Sequence, residues 1–368
     1  MSSFTDFALL PTLTGTLKEL TIHNPTEIQK KAIPIMLSKK AIVGVSETGS
    51  GKTLAFVLPI LHILKTLEMS GNAVKEKATP RALVITPTRE LGEQVSKVFK
   101  SLTHHTRLRV RTALGGQKFE QSRRNIDGPF EVLLATPGRL LQLMERQLIH
   151  LSDIHILIFD EADQMLDEGF MRDSKLIHEA CPKELQMGLF SATVSKTVQQ
   201  LMTELFAGAE VVRSAGSGKV VATLTTQNCN VIDGKRWTHL ERILSQKVKY
   251  GTLMFTNTKD QCDKLTTQLH QNGHKVAPYR GEMSKNERRT NLKKFREGQV
   301  DILVSTDLAS RGLDLENIGR VINYHLPKEM ENYIHRVGRT ARAGRTGLVI
   351  NMVTERDAGL MAELDRQT

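Results

Sequence analysis

The chain has 368 residues, 39% of them hydrophobic and 25% charged, which exceeds the size at which one core usually stops growing and implies two folded domains. A net charge of +11 and a pI near 9.5 favour a polyanionic partner, with a soluble surface rich in spare lysines as the plainer alternative. They argue against an acidic or disordered chain.

In chain order, short apolar runs alternate with amphipathic stretches. In the first half the runs cover 41–45, 82–86, 110–114, 132–135, 155–159 and 187–190; in the second they cover 228–232, 252–256, 276–279, 302–305, 320–324 and 348–351. Helical periodicity lies between them, for example over 54–67, 90–102 and 259–272, so the pattern predicts parallel strands joined by crossover helices. The result is an α/β chain of two similar domains, 1–213 and 223–368. Residues 214–222, with Gly216-Ser217-Gly218-Lys219, are the flexible composition break between them. That tetrapeptide imitates a phosphate loop, but Val220 stands where a hydroxyl is needed.

Cys181, Cys229 and Cys262 fall in no paired ligand spacing, which suggests buried free thiols in a reducing compartment. Asp6 and Pro11 interrupt any signal-like stretch at the start, and the longest apolar segment, 54–64, is broken by Pro59 and His62. It falls short of the roughly 20 residues that span a bilayer. A soluble, cytoplasmic protein with no membrane partner is expected.

The chemistry concentrates at two places in the first half. After the run 41–45 come Thr48-Gly49-Ser50-Gly51-Lys52-Thr53 and then helical periodicity. Glycines there let backbone donors approach phosphates, Lys52 supplies charge to the β and γ groups, and the Thr53 hydroxyl suits a metal. The first glycine of the general loop is replaced by Ser46. After the run 155–159 comes Asp160-Glu161-Ala162-Asp163, in which Asp160 can hold magnesium and Glu161 can orient or deprotonate an attacking water. A helix N-cap would also explain an acidic pair by itself, although not its coincidence with the loop.

In the second half, His335-Arg336-Val337-Gly338-Arg339-Thr340-Ala341-Arg342 places Arg339 and Arg342 three apart, on one side if the segment is helical, where both reach one anion. A solvated face is the alternative. Pro87-Thr88-Arg89-Glu90, Gly115-Gly116 and Thr136-Pro137-Gly138-Arg139 each follow an apolar run and offer small residues, hydroxyls and guanidinium groups to phosphates; turns and caps are the ordinary explanation for each alone. Aromatic content is 5%, with Trp237 the one tryptophan, so base-stacking platforms are not evident.

Together these motifs, in this order from about residue 4 to 351, make the chain resemble a bacterial DEAD-box ATP-dependent RNA helicase of superfamily 2. The resemblance implies two tandem RecA-like domains, each a mostly parallel sheet flanked by helices, with ATP and Mg2+ as cofactors. It implies RNA-stimulated ATP hydrolysis, local unwinding of short RNA duplexes or remodelling of RNA–protein complexes, and closure of the two domains. Two other readings remain: an ATP-dependent RNA clamp with little unwinding, whose residues would look identical, and a DNA-directed motor, against which the motif set as a whole stands.

By the same resemblance, Pro25-Thr26-Glu27-Ile28-Gln29 is similar to the adenine-reading motif, with Thr26 and Gln29 on the nucleotide and Phe4 stacked on the base. Thr21-Ile22 stands where Gly-Phe is common. Ser191-Ala192-Thr193 resembles the motif that couples hydrolysis to strand separation through Asp163, and His335 is implied to bridge the domains. Gly312 and Asp314 are implied at the γ-phosphate and ribose. Pro87, Thr88, Arg89, Gly115, Gly116, Thr136, Pro137, Gly138 and Arg139 are implied on RNA, with Asn257, Thr258, Arg288, Thr306 and Asp307 from the second domain. Arg280 and Lys285 replace a common histidine and glutamine. Single-stranded and short duplex RNA would be held by its sugar-phosphate backbone, without strong sequence preference.

Overall fold

The computed structural model describes residues 3–47, 49–167, 169–214, 224–232, 234–246, 248–281, 283–307, 318–340 and 347–367. It divides into two compact units, Met1–Gly218 and Lys219–Thr368.

In unit 1 a short 3-10 turn, Phe4–Phe7, precedes α1 (Pro11–Glu19), α2 (Glu27–Leu37), β1 (Ile42–Val45), α3 (Lys52–Met69), β2 (Ala82–Ile85), α4 (Arg89–Thr106), β3 (Val110–Ala113), α5 (Phe119–Asn125), β4 (Val132–Ala135) and α6 (Pro137–Glu145). Then come β5 (Ile156–Asp160), α7 (Ala162–Asp167), α8 (Met171–Glu179), β6 (Gln186–Ser191), α9 (Lys196–Leu205) and β7 (Glu210–Arg213). The seven strands pair in the order β3-β4-β2-β5-β6-β1-β7, every pairing parallel. Alternate strand residues supply two cores, one on each face: Ile42, Val84, Leu134 and Ile158 on one, Val43, Leu83, Leu133 and Phe159 on the other. A sheet covered on both faces is why its strands read as continuous apolar runs.

Unit 2 contains β8 (Leu224–Asn230), α10 (Arg236–Leu244), β9 (Gly251–Thr256), α11 (Lys259–Gln271), β10 (Val276–Tyr279), α12 (Lys285–Arg296), β11 (Ile302–Thr306), β12 (Ile318–Asn323), α13 (Met330–Val337), β13 (Gly347–Val353) and α14 (Ala358–Gln367). Its sheet order is β10-β11-β9-β12-β13-β8, again parallel at each pairing. Leu253, Phe255, Leu303 and Val349 face one core, and Met254, Val304, Ile322 and Ile350 face the other.

Three expectations change. Strand β7 has no counterpart among the predicted runs, and β8 begins at Leu224 rather than at 228; both are edge strands with mostly exposed residues, so burial never made them apolar. The helix over His335 ends at Val337, because Gly338 caps it, with its N–H on the Ile334 carbonyl, and glycine is a poor helix former. Arg339 therefore lies in the turn beyond the helix, and its expected pairing with Arg342 falls outside the described residues. The free thiols also differ, since Cys262 is buried while Cys181 and Cys229 are only partly covered. Among the described residues no helix is long and apolar enough to cross a membrane.

Candidate functional site

In a parallel sheet every strand delivers its following loop to the same edge, and ligands collect there. At that edge of unit 1, β1 leads into residues 46–51 and α3 begins at Lys52. Ser46 is fully buried; its N–H bonds the Ser191 carbonyl and its Oγ lies 2.6 Å from Ser214 Oγ, so a serine fits where the general loop has glycine. Gly51 is required on two counts. Its φ is +94°, and a Cβ there would come 2.4 Å from Gln29 Nε2. Gly49 also has positive φ, and Ser50 Oγ donates to the Glu47 carbonyl. Thr48 lies outside the described residues.

Lys52 is 5% exposed, and its Nζ donates to the carbonyls of Ser46 (2.6 Å) and Glu47 (3.1 Å). It also lies 3.5 Å from Glu161 Oε1, which joins the loop to the acidic strand end. Thr53 follows in the first turn of α3, half-buried. Asp160 closes β5 at 4% exposure; burial first, and then the charge of Glu161, push its carboxyl up to about 7 against the pull of Lys52. Glu161 has φ 50°, in the left-handed region that side-chain-bearing residues rarely adopt. This departure from strand geometry accompanies its approach to Lys52. Carboxylate and hydroxyl oxygens are the donors that hard divalent cations take, and a buried carboxylate crowded by a second one suits a cation. Asp160 and Thr53 therefore fit magnesium.

Asp163 and the end of β6 form one unit. Asp163 Oδ2 accepts from the N–H groups of Ala192 (3.1 Å) and Thr193 (2.8 Å) and from Thr193 Oγ1 (2.9 Å), while the Asp163 N–H reaches Ser191 Oγ. Asp163 is 1% exposed, so these bonds replace solvation.

Gln29 sits at the third position of α2, where its Oε1 accepts from the Thr26 N–H and its Nε2 donates to the Gly51 carbonyl (3.0 Å). This Thr-x-x-Gln capping box thus reaches the phosphate loop. Phe4 is 3% exposed and meets Phe7 edge-on within the core, so its ring is enclosed by protein rather than open as a stacking surface. Thr21 has φ 58°; the N–H of Ile22 on the Leu17 carbonyl and of Thr21 on that of Lys18 close α1 in a motif that usually places glycine at the Thr21 position.

The RNA candidates of unit 1 come from three adjacent strands, β3, β4 and β2. Beyond Pro87, Thr88 caps α4 by accepting from the Leu91 N–H. Arg89 pairs with Glu93 and donates to the Gly116 carbonyl. Thr136 Oγ1 accepts from the Gly115 N–H (2.9 Å), and Pro137 opens α6 ahead of exposed Gly138. Arg139 donates to the Gln117 carbonyl (2.7 Å) and lies 5.5 Å from the Phe119 ring. Arg146, which sequence reasoning passed over, covers the same ring at 4.1 Å.

In unit 2, Asn257 follows β9, Thr258 caps α11 with Gln261, Arg288 lies in the first turns of α12, and Thr306 ends β11 ahead of Asp307. Asn257 Oδ1 and both Asp307 carboxylate oxygens bond one residue that the motif reading left without a role, Arg336. Its spacing from Arg339 gave no signal, because its partners lie 29 and 79 residues away in the chain. His335 precedes it on α13, and Arg339 Nε donates to the His335 carbonyl. Arg280 pairs with Asp263 (2.7 Å). Gly312, Asp314 and Arg342 lie outside the described residues.

Two family models match the chain: the DEAD/DEAH box helicase over residues 26–201 and the helicase conserved C-terminal domain over 235–344. The chain is 36% identical to the DEAD-box ATP-dependent RNA helicase RhpA of Helicobacter pylori over 352 residues, which cover 96% of this chain and 70% of that protein. It is 35% identical to the ATP-dependent RNA helicase RhlB of Pectobacterium carotovorum, covering 96% and 82% of the two chains. Among solved structures, Saccharomyces cerevisiae Dbp5 bound to RNA and ADP BeF3 superposes with a TM-score of 0.86 at 27% identity, over 100% of this chain and 93% of that one. The two parallel sheets of this chain match the tandem RecA-like domains of such proteins, and the chain belongs to the DEAD-box ATP-dependent RNA helicases.

Proposed function

We propose that this protein hydrolyses ATP in response to RNA and uses the cycle to open short RNA duplexes locally or to remodel RNA–protein complexes. The observation that carries this reading is the joint geometry of unit 1: Lys52 and Glu161 lie 3.5 Å apart, between a phosphate loop and a buried carboxylate. Lys52 exchanges its loop carbonyls for β- and γ-phosphate oxygens when ATP enters. Glu161 then orients the attacking water and draws its proton. Thr53 and Asp160 would hold magnesium, which neutralises phosphate charge when bound. Gln29, already fixed to the loop, reads the adenine edge, and Thr26 lies beside it.

Arg339 and Arg342 complete the phosphate site on closure of the two domains, with Gly312 and Asp314 at the γ-phosphate and ribose. An arginine on the transferring group is worth roughly 10³ to 10⁵ in rate, so hydrolysis waits for closure. RNA and ATP favour each other because both select the closed state. The loops around Thr88, Gly116, Thr136 and Arg139 hold phosphates through guanidinium and backbone donors, which makes binding sequence-tolerant and salt-sensitive. Strand release from a short RNA duplex, followed beside a DNA duplex of matched sequence, tests the proposal. ATP-dependent release of the RNA strand alone is expected; equal release of both, or release that ignores ATP, refutes it.

A further inference from the structure

Arg336 is 1% exposed, and each of its five N–H donors has a partner. Nε and Nη2 grip the Asp307 carboxylate, Nη2 also donates to Asn257 Oδ1 (2.8 Å), and Nη1 donates to Asn323 Oδ1 (3.2 Å) and the His325 carbonyl. The guanidinium lies 5.0 Å from the centre of the Phe255 ring. One side chain therefore ties the ends of β11, β9 and β12, three neighbouring strands, to helix α13. A second tie runs alongside. Asn323 Nδ2 donates to Asn351 Oδ1, and Asn351 Nδ2 reaches Asn228 Oδ1 and the Tyr333 hydroxyl, so α13 is also held through Tyr333.

We propose that Arg336 is a positioning residue that transmits RNA contact at these strand ends to Arg339. Asp307 acts through it rather than on RNA directly: its oxygens face a guanidinium, and a bare carboxylate beside a phosphodiester would be repelled. The Arg339 N–H bonds the Arg336 carbonyl (3.2 Å), so a shift of the clamp moves the turn that carries Arg339. RNA held at Asn257, Thr258 and Thr306 fixes the clamp, and the clamp fixes the arginine. This inference rests on the proposed function.

Arg336→Lys tests it in the full chain. Lysine offers donors from a single point and cannot span three strand ends. Turnover at saturating RNA and ATP should fall by about ten-fold or more, since misplacement of a phosphate ligand by about an ångström carries losses of that order. The KM for ATP should stay within about two-fold, because Lys52 and Gln29 are untouched. Arg336→Lys combined with Asp307→Asn should lose no more than the worse single variant. A melting point lowered without any change in turnover per folded molecule, or losses that multiply in the double variant, would overturn the proposal. If Arg336→Lys does not fold, Asn323→Ser decides: a raised RNA requirement for half-maximal stimulation supports the clamp, and an unchanged one overturns it. A wild type that ignores RNA sinks the proposed function together with this inference. A stimulated wild type with an equally stimulated Arg336→Lys sinks this inference alone.

Discussion

In unit 1 the loops are held by separate small contacts: Thr88 caps its helix, Thr136 accepts from the Gly115 N–H, a capping box joins Thr26 and Gln29, and Asp163 accepts from the backbone at the end of β6. In unit 2 the corresponding strand ends converge on one guanidinium supplied by a distant helix. Local caps form as soon as their helices do, and each can be removed with a loss of about 1 kcal/mol. A buried hub behaves differently, because removing it strands several polar groups at once. Loops of the first unit are thus held by separate pairs of groups, while three strand ends of the second share one buried side chain.

Glu161→Gln should sharpen that contrast most. It keeps the size of the side chain while removing the proton acceptor and the charge that faces Lys52, so RNA-stimulated hydrolysis should fall by roughly 10² to 10⁴ while ATP and RNA still bind. Equilibrium binding measured beside steady-state turnover checks this, and parallel loss of both would show that Glu161 has a structural role instead.

The acidic strand end gives a prediction in pH. The Asp160 carboxyl is raised from 3.8 to about 7, so the folded chain holds a proton there that the unfolded chain releases. This contribution to stability is complete below the unfolded value and disappears as pH rises through about 7. Without nucleotide or magnesium, Asp160→Asn should therefore gain on wild type between pH 5 and pH 8, by an amount on the order of 2 kcal/mol. Denaturant melts at the two pH values measure it; a gap that shrinks towards pH 8 would contradict the sign.

A smaller effect separates local design from functional demand. Thr21 occupies a left-handed position at the end of α1, where a β-branched residue is strained. Thr21→Gly should stabilise the chain by about 1 kcal/mol and leave turnover unchanged. Glu161 has a comparable positive φ, but there the proposed role requires the side chain. Loss of stability in Thr21→Gly would show that the threonine is compensated by contacts elsewhere.

The same division governs what could be read from sequence. Strands such as β4 and β9 were legible because both faces are buried, and the phosphate loop and acidic end because their spacing is local. Edge strands β7 and β8 were hidden because exposure removed the apolar signal. Gln29 was found for its place in a motif, yet its bond to Gly51 needed the fold. Arg336 was left without a role for a deeper reason: its bonds join segments far apart in the chain, and composition carries no trace of them.

ATP turnover by the full chain, titrated with single-stranded RNA in wild type and in Arg339→Ala, tests the central claim most directly. The expected result is a wild-type rate that climbs about ten-fold or more with RNA and an Arg339→Ala rate that stays flat while nucleotide still binds, as an arginine needed at the phosphates requires. A wild-type rate indifferent to RNA, or Arg339→Ala turnover equal to wild type, would contradict it.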